Sequence, residues 1–254
     1  MGRLLDTLDD LNLADNTIIV FFSDNGGNMY DRVEGIPPTS NTPLRGGKAM
    51  LYEGGTRDPC IVGWPGKTKP GSRSDAFLSS VDWFPTLLDM TGVKPRPGAT
   101  FDGVNQTPAL LGTGAPRDTV FCYFPHYTPA TGALPAAWVR RGDWKLIRFF
   151  CDTTNQADRL ALYNLKDDIG ETRNLAADRL GIARELNVQI DGFLASTGAI
   201  VPTRTPDYDP AAKPPPEKSP PNKPAQKRPV QAKPTDVRTE LEKSSNHAVD
   251  GSPR

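Results

Sequence analysis

The run from Asn16 to Gly27, NTIIVFFSDNGG, constrains the fold more than any other stretch of the chain. Thr17 to Phe22 is unbroken, apolar and rich in β-branched and aromatic residues. That composition predicts a strand buried on both faces, as in a parallel sheet. The strand stops at Ser23-Asp24-Asn25-Gly26-Gly27, where a carboxylate and an amide stand side by side before two glycines. Ligands of open α/β sheets gather beyond the carboxyl ends of strands. Two hard oxygen donors delivered there suit a divalent cation such as calcium or magnesium. The same residues also read as a tight turn, because Asn-Gly favours hairpins and Asp and Asn bond their own backbone. The local sequence alone leaves both readings open.

Upstream, Leu4, Leu8 and Leu11 recur at helical spacing, with Asp6, Asp9 and Asp10 off that stripe, so residues 2 to 12 predict an amphipathic helix. Helix, turn and strand make half of a βαβ unit whose preceding strand is not in this sequence. Downstream, a Pro/Ser/Thr/Asn-rich loop from Asn28 to Pro43 leads to LRGGKAMLYEGGTRDP, residues 44–59. Its two glycine pairs bracket a segment read as extended, which carries Lys48. Glycines permit close backbone approach, so the Lys48 ammonium can be held against an anion. An exposed lysine on a hairpin is the alternative. Cys60 to Pro65 predicts a further short buried strand. Ser79 to Thr91 predicts a helix capped by Ser80 or Asp82 and closed by Gly92, with Phe84, Leu87, Leu88 and Thr91 on its core face.

From Asp118 the pattern changes. Val120–Phe124, Ala136–Arg140, Trp144–Phe150 and Leu160–Leu165 read as short strands of an antiparallel sheet, with Gly142-Asp143 as a hairpin turn. Leu186, Ile190, Phe193 and Leu194 mark a last helix closed by Gly198, expected to pack on that sheet. Beyond Val201 the sequence collapses into Pro, Lys, Ala and Ser, holding roughly half of the 26 prolines, and predicts a disordered tail. The 30 basic and 30 acidic residues balance to zero, which gives no electrostatic case for nucleic acid or an anionic membrane. No apolar run is long enough to span a bilayer. Cys60, Cys122 and Cys151 form no CxxC or zinc-finger spacing, their odd number argues against a full disulfide framework while leaving room for one bridge, and two histidines argue against a His-rich metal site.

Five blocks in order resemble the sulfatase family, in its formylglycine-dependent arylsulfatase branch within the alkaline-phosphatase-like superfamily. They are LADNTIIVFFSDNG from Leu13, LRGGKAMLYEGGTRDP from Leu44, VDWFPTLLDMTG from Val81, RGDWKLI from Arg141, and LYNL from Leu162 with ETRNLA from Glu171. The resemblance runs from Met1 to about Gly198. It implies an α/β fold: a partial alkaline-phosphatase-like sandwich, mostly parallel sheet with flanking helices, plus a small C-terminal antiparallel sheet with a packed helix. It implies that Asp24 and Asn25 are two ligands of one divalent cation, usually Ca2+, and that Lys48 contacts the sulfate. Arg57 matches a position expected to brace the metal loop. His126, on a loop bordering the pocket, becomes a contact for sugar or aryl groups.

The family pattern is incomplete: the resemblance also implies paired aspartates that complete the metal site and basic residues around the sulfate, which belong to an N-terminal half not in this sequence. The formylglycine nucleophile of sulfatases derives from the first residue of Cys/Ser-x-Pro/Ala-x-Arg, and neither Cys60, Cys122, Cys151 nor any serine here begins that motif. The expectation is therefore the C-terminal part of a sulfatase, inactive alone, whose partner is the missing N-terminal half and whose substrate is a sulfated small molecule or glycan. Residues 1–117 would belong to the catalytic α/β domain, 118–200 to the antiparallel subdomain and 201–254 to the tail. A phosphoesterase or phosphonate hydrolase of the same superfamily, or a non-catalytic fragment, are the alternatives. By analogy the parent enzyme would be periplasmic or secreted.

Overall fold

A computed structural model describes residues 1–30, 36–114 and 117–209. The chain divides into two units, Met1–Tyr208 and Asp209–Arg254, and the second lies outside the described residues except for Asp209. Most of the expected tail therefore lies outside them as well. Residues 201–208 belong to the first unit: Val201 packs on its core, and Thr205 and Gln156 exchange two hydrogen bonds.

Helix α1 (Gly2–Asp10) forms where the leucine spacing predicts it, yet none of its residues is buried, and Leu4, Leu5 and Leu11 are exposed. A single 3-10 turn, Ala14–Asn16, leads into strand β1 (Ile19–Phe22). The expected burial of this strand on both faces, in parallel company, does not hold among the described residues. β1 pairs on one side only, antiparallel to β2 (Cys60–Gly63), with Val20 opposite Val62. Its other edge has no strand beside it, so Phe21 and Phe22 stay 45% and 44% exposed. β2, expected to be buried, is exposed at Cys60 and Ile61 for the same reason.

Between these strands lies the one-turn helix α2 (Glu53–Thr56). Helix α3 (Trp83–Thr91) starts with Pro85 in its first turn and ends at Gly92 with φ 70°. Asp82 and Ser79, rather than Ser80, cap the turn that opens it in a reciprocal capping box, with Asp82 accepting the Ser79 N–H at 2.8 Å. Its core face corrects the sequence expectation: Trp83, Thr86 and Met90 are buried, whereas Phe84 and Leu87 are exposed. The cause is polar. The loop before helix α4 (Thr107–Leu110) comes down on the opposite side, where Asp82 accepts the Val104 N–H and Thr86 the Gln106 N–H, both at 2.9 Å. Satisfying those buried groups sets the rotation of the helix.

The remaining strands, β3 (Thr119–Phe124), β4 (Ala136–Arg141), β5 (Trp144–Phe149) and β6 (Arg159–Asn164), form an antiparallel meander in sequence order, within a residue of the predicted limits. Gly142, at φ 55°, opens the tight β4–β5 turn. Alternation along the strands sends side chains to two cores. Ala137, Val139, Leu146 and Leu162 face helix α5 (Leu180–Thr197), which answers with Ala183, Leu186, Ile190 and Leu194 and ends at Gly198. Trp138, Ile147, Phe149 and Tyr163 face the other way, onto Leu51 and Tyr52 of the lysine-bearing segment. The sheet is thus the floor under the segment that carries Lys48. Among the described residues no helix is long and apolar enough to cross a membrane.

Candidate functional site

The site is built from backbone. Past Phe22 the Ser23 hydroxyl donates to the Asn25 carbonyl at 2.9 Å, a local bond that ends the strand and turns the chain. Asp24 is left exposed and Asn25 half-buried. The chain then passes beneath the lysine segment: the Gly26 N–H donates to Gly55 O at 3.1 Å and the Lys48 N–H to Gly27 O at 3.2 Å. A Cβ on Gly26 would collide with the Gly54 carbonyl, one on Gly54 with the carbonyls of Arg45 and Gly46, and one on Gly55 with those of Gly47 and Met50. Gly26 and the Gly54-Gly55 pair therefore serve close backbone approach. Lys48 is not on the extended segment the sequence suggested: it lies in a turn with Ala49 at φ 69°, because the surrounding carbonyls fold back over Gly54 and Gly55. The Tyr30 hydroxyl donates to the Lys48 carbonyl at 2.9 Å, and the Lys48 side chain is exposed. Among the described residues no carboxylate pairs with its ammonium.

The Asn41 side chain also adds to these backbone bonds. Asn41 accepts the Gly27 N–H at 3.0 Å through Oδ1 and donates through Nδ2 to Gly27 O at 3.1 Å and Gly46 O at 3.0 Å.

Below the loop sits a buried charge cluster. Lys145 is fully buried, pointing from β5 to Glu53 Oε1 at 2.8 Å and Glu171 Oε1 at 3.0 Å. Glu171 also accepts the Glu53 N–H at 2.6 Å, and its own backbone sits at φ 51°. Burial pushes the Glu53 carboxyl up, but Lys145 and Arg57 together bring it below the usual range. Burial raises the Glu171 carboxyl and Lys145 only partly offsets it, with the neighbouring Glu53 charge adding to the rise. Arg57 Nε binds Glu53 Oε2 at 2.5 Å, with its side chain 41% exposed. It therefore reaches Glu53 rather than residues 23–27, one step removed from the loop it was expected to brace. Arg45 completes the arrangement, donating to the Glu171 carbonyl at 2.8 Å with its guanidinium 3.9 Å over the Tyr52 ring. Burial and the adjacent Tyr52 push the Tyr163 hydroxyl up to about 12.

His126 is exposed on the loop after β3, its ring edge-on to Phe124 at 5.1 Å. Among the described residues no hydrogen bond or ion pair ties it to the cluster around Lys48. A cleft of about 1300 Å³ opens beside β2, lined among others by Arg57, Asp58, Trp64, Trp138 and Arg140; Asp24, Asn25 and Lys48 are not part of its wall. The structure thus joins the backbone that follows Asp24 and Asn25 to the Lys48 turn through Gly27, sets Arg57 on Glu53 rather than on that loop, and leaves His126 apart.

Comparison with known proteins places this geometry in a class. The fold is that of the alkaline-phosphatase-like α/β enzymes: a solved structure bound to its substrate D-glucosamine-2-N,6-O-disulfate superposes with a TM-score of 0.62 at 28% identity, over 78% of this chain and 38% of that one. A phosphonate monoester hydrolase of Agrobacterium radiobacter superposes with a TM-score of 0.55 at 25% identity, over 77% and 38%. The family model described as Sulfatase matches residues 1–93. Human arylsulfatase A is 33% identical over 204 residues, 73% of this chain and 38% of the relative, and a sulfatase of Formosa agariphila is 32% identical over 220 residues, 78% and 38%. The chain belongs to the sulfatase family. It spans well under half the length of these relatives.

Sulfatases generally use a divalent metal and a formylglycine. The donor set here fits such a metal in kind but not in number. Asp24 and Asn25 offer hard oxygens, and among the described residues no group of three or more His, Cys, Asp or Glu side chains converges to hold an ion. Sequence reasoning missed Asn41, which sat in a loop read as connection, and the burial of Lys145, Glu53 and Glu171. Lys145 shares its face of β5 with Ile147 and Phe149, which pack toward the loop, but the run WKLIRF carries no polar–apolar alternation that would have marked it.

Proposed function

We propose that this chain is part of an arylsulfatase-type sulfuric ester hydrolase, holding two metal ligands and the sulfate-binding lysine of its site. The observation that carries this reading is the direct backbone bond from the Lys48 N–H to Gly27 O, beside that from the Gly26 N–H to Gly55 O of α2, which ties the Asp24–Asn25 loop to the lysine-bearing segment. Asp24 and Asn25 would hold a divalent cation, Ca2+ by family resemblance, which when bound supplies positive charge to the sulfate oxygens. The Lys48 ammonium, lacking a carboxylate among the described residues, is available to a sulfate oxygen. There it stabilises the negative charge that develops as the sulfur–oxygen bond to the leaving alcohol lengthens. Arg57 and Lys145 keep Glu53 ionised beneath the loop, so that α2 and its two glycines stay in place. His126 is the residue we assign to contact with the sugar or aryl portion.

The nucleophile is not supplied by any Cys/Ser-x-Pro/Ala-x-Arg sequence in this chain. The partner we assign is the nucleophile-bearing portion of a sulfatase domain. Supporting this are the exposed Leu4, Leu11, Phe21, Phe22, Phe84 and Leu87, which form apolar faces uncovered among the described residues. A sulfated glycan is the substrate class we favour. The human relative named N-acetylgalactosamine-6-sulfatase is 33% identical over 66% of this chain, and a structural neighbour is bound to a sulfated glucosamine. The phosphonate hydrolase neighbour supports a second reading, phosphorus esters, on the same metal and lysine.

Calorimetric titration with CaCl2 tests the half-site. The wild-type chain binds calcium, and Asp24→Ala weakens binding at least about tenfold, about 1.4 kcal/mol. Equal binding by the two proteins would overturn the assignment of Asp24.

A further inference from the structure

We infer that Asn41 is a positioning residue of this site: its side-chain amide locks the Asp24–Asn25 loop and the Lys48 turn into one register. The inference rests on the reading of Asp24, Asn25 and Lys48 given above. Asn41 bonds both the N–H and the C=O of Gly27, at 3.0 and 3.1 Å, as a neighbouring strand would, although no strand runs there. The same amide nitrogen also reaches Gly46 O at 3.0 Å. Gly27 lies two residues past Asn25, and Gly46 two residues before Lys48, so one planar group holds both functional segments. The bonds also fix the amide's orientation. An N–H can be met only by Oδ1, and two carbonyls only by Nδ2.

Further features single out this amide. Gly27 O is a shared acceptor, taking the Asn41 Nδ2 at 3.1 Å and the Lys48 N–H at 3.2 Å. A Cβ on Gly27 would run into Asn41 Oδ1 and the Thr39 hydroxyl, and one on Gly47 into Asn41 Nδ2 and Gly27 O. Glycine is thus present on both segments where the amide needs room. The Thr39 hydroxyl donates to Asn28 O at 2.7 Å, anchoring the segment that presents Asn41 to the same loop. Aspartate is nearly the same size but cannot replace asparagine, because it has no hydrogen to give and would set a carboxylate against two carbonyl oxygens. Asp24 and Lys48 are both exposed, with no packing of their own to hold their separation. Catalytic groups must keep their geometry to within about 0.5 Å. The clamp supplies that constraint from beneath.

The test uses the 254-residue chain with Asn41→Ala and Asn41→Asp. Amide exchange read by NMR should quicken at Gly27 and Lys48 by about tenfold or more in both variants, an opening of local bonds only. Leu146, Ile147 and Leu162 in the C-terminal sheet should keep wild-type rates, which shows that the variants are folded. A second readout addresses position rather than structure. Calcium should raise the affinity of the wild-type chain for inorganic sulfate, and sulfate that for calcium, by one common factor. In both variants that factor should fall to one. Unchanged exchange at Gly27 and Lys48 overturns the clamp. Faster exchange with the calcium–sulfate coupling intact overturns the positioning role. If the wild-type chain binds neither calcium nor sulfate, the assignments of Asp24 and Lys48 fail instead, and the exchange rates still decide whether Asn41 holds the two segments together.

Discussion

Replacing Lys145 by methionine probes how the C-terminal sheet supports the site. The ammonium is fully buried between Glu53 Oε1 at 2.8 Å and Glu171 Oε1 at 3.0 Å, and both carboxylates are buried with it. Methionine fills nearly the same volume, so the loss is electrostatic. Removing one partner from a buried ion pair costs about 3–5 kcal/mol, because the opposite charge is left uncompensated. Arg57 still serves Glu53, so the burden falls on Glu171, whose remaining donor is the Glu53 N–H at 2.6 Å. The pH dependence has a definite sign. The Glu171 carboxyl is raised in the fold, so its contribution is full below its unfolded value and is lost as pH climbs through the folded one. Glu53 is lowered, so its contribution is present above its unfolded value and is lost as pH falls through the folded one. Without Lys145 both carboxyls titrate higher, and the variant suffers most where both are forced to ionise. Urea unfolding should therefore show a loss of about 3–5 kcal/mol at pH 8. With a slope of about 2 kcal/mol/M, the midpoint falls by about 2 M. At pH 5 the loss should be smaller, and adding Glu171→Gln should recover about 1–2 kcal/mol at pH 8. A loss under about 1 kcal/mol at pH 8, or one that grows on acidification, would refute the reasoning.

Other consequences follow from the same contacts. Gly54→Ala drives a Cβ into the carbonyls of Arg45 and Gly46, so it should cost about 1–3 kcal/mol in urea unfolding and abolish calcium binding. Asp82→Ala strips the acceptor from Ser79 N, Val104 N and Arg117 Nη2, which should cost about 3 kcal/mol and speed amide exchange at Val104 and Gln106. Gly142→Ala forces a Cβ onto a backbone at φ 55° and should lower stability by about 1 kcal/mol without altering calcium binding. The chain on its own, supplied with calcium, should hydrolyse an aryl sulfate no faster than buffer; steady turnover would show that a nucleophile from Cys/Ser-x-Pro/Ala-x-Arg is not needed.

Legibility followed the kind of signal each element carries. The four-stranded meander was readable nearly to the residue, and α5 in its apolar face and its Gly198 end, because alternation, Gly142 and Gly198 are local signatures of local structure. Thr17–Phe22 was recognisable as a strand but not in its surroundings, since an apolar run reports what a strand can bury and not which neighbours are present to bury it. The face of α3 was misread because Asp82 and Thr86, polar and unpromising by hydropathy, are drawn inward by backbone donors of a loop some twenty residues on. Within the site, Asp24, Asn25 and Lys48 stood out by motif, and the glycine pairs pointed to close backbone approach. Asn41 left no trace in any period, because a clamp made by one loop side chain has none. The partners of Lys145 were equally silent, since a salt bridge spanning 92 residues from Glu53 exists only once the sheet is under the loop.

The central claim is that Asp24, Asn25 and Lys48 act together on a sulfate ester. Its most direct test is hydrolysis of an aryl sulfate by this chain joined to the nucleophile-bearing portion of a sulfatase domain, with calcium present. The account predicts turnover that exceeds that on the matching phosphate ester, that is abolished by Asp24→Ala, and that falls about 10²–10³-fold in Lys48→Ala. Undiminished sulfate hydrolysis in either variant would contradict it.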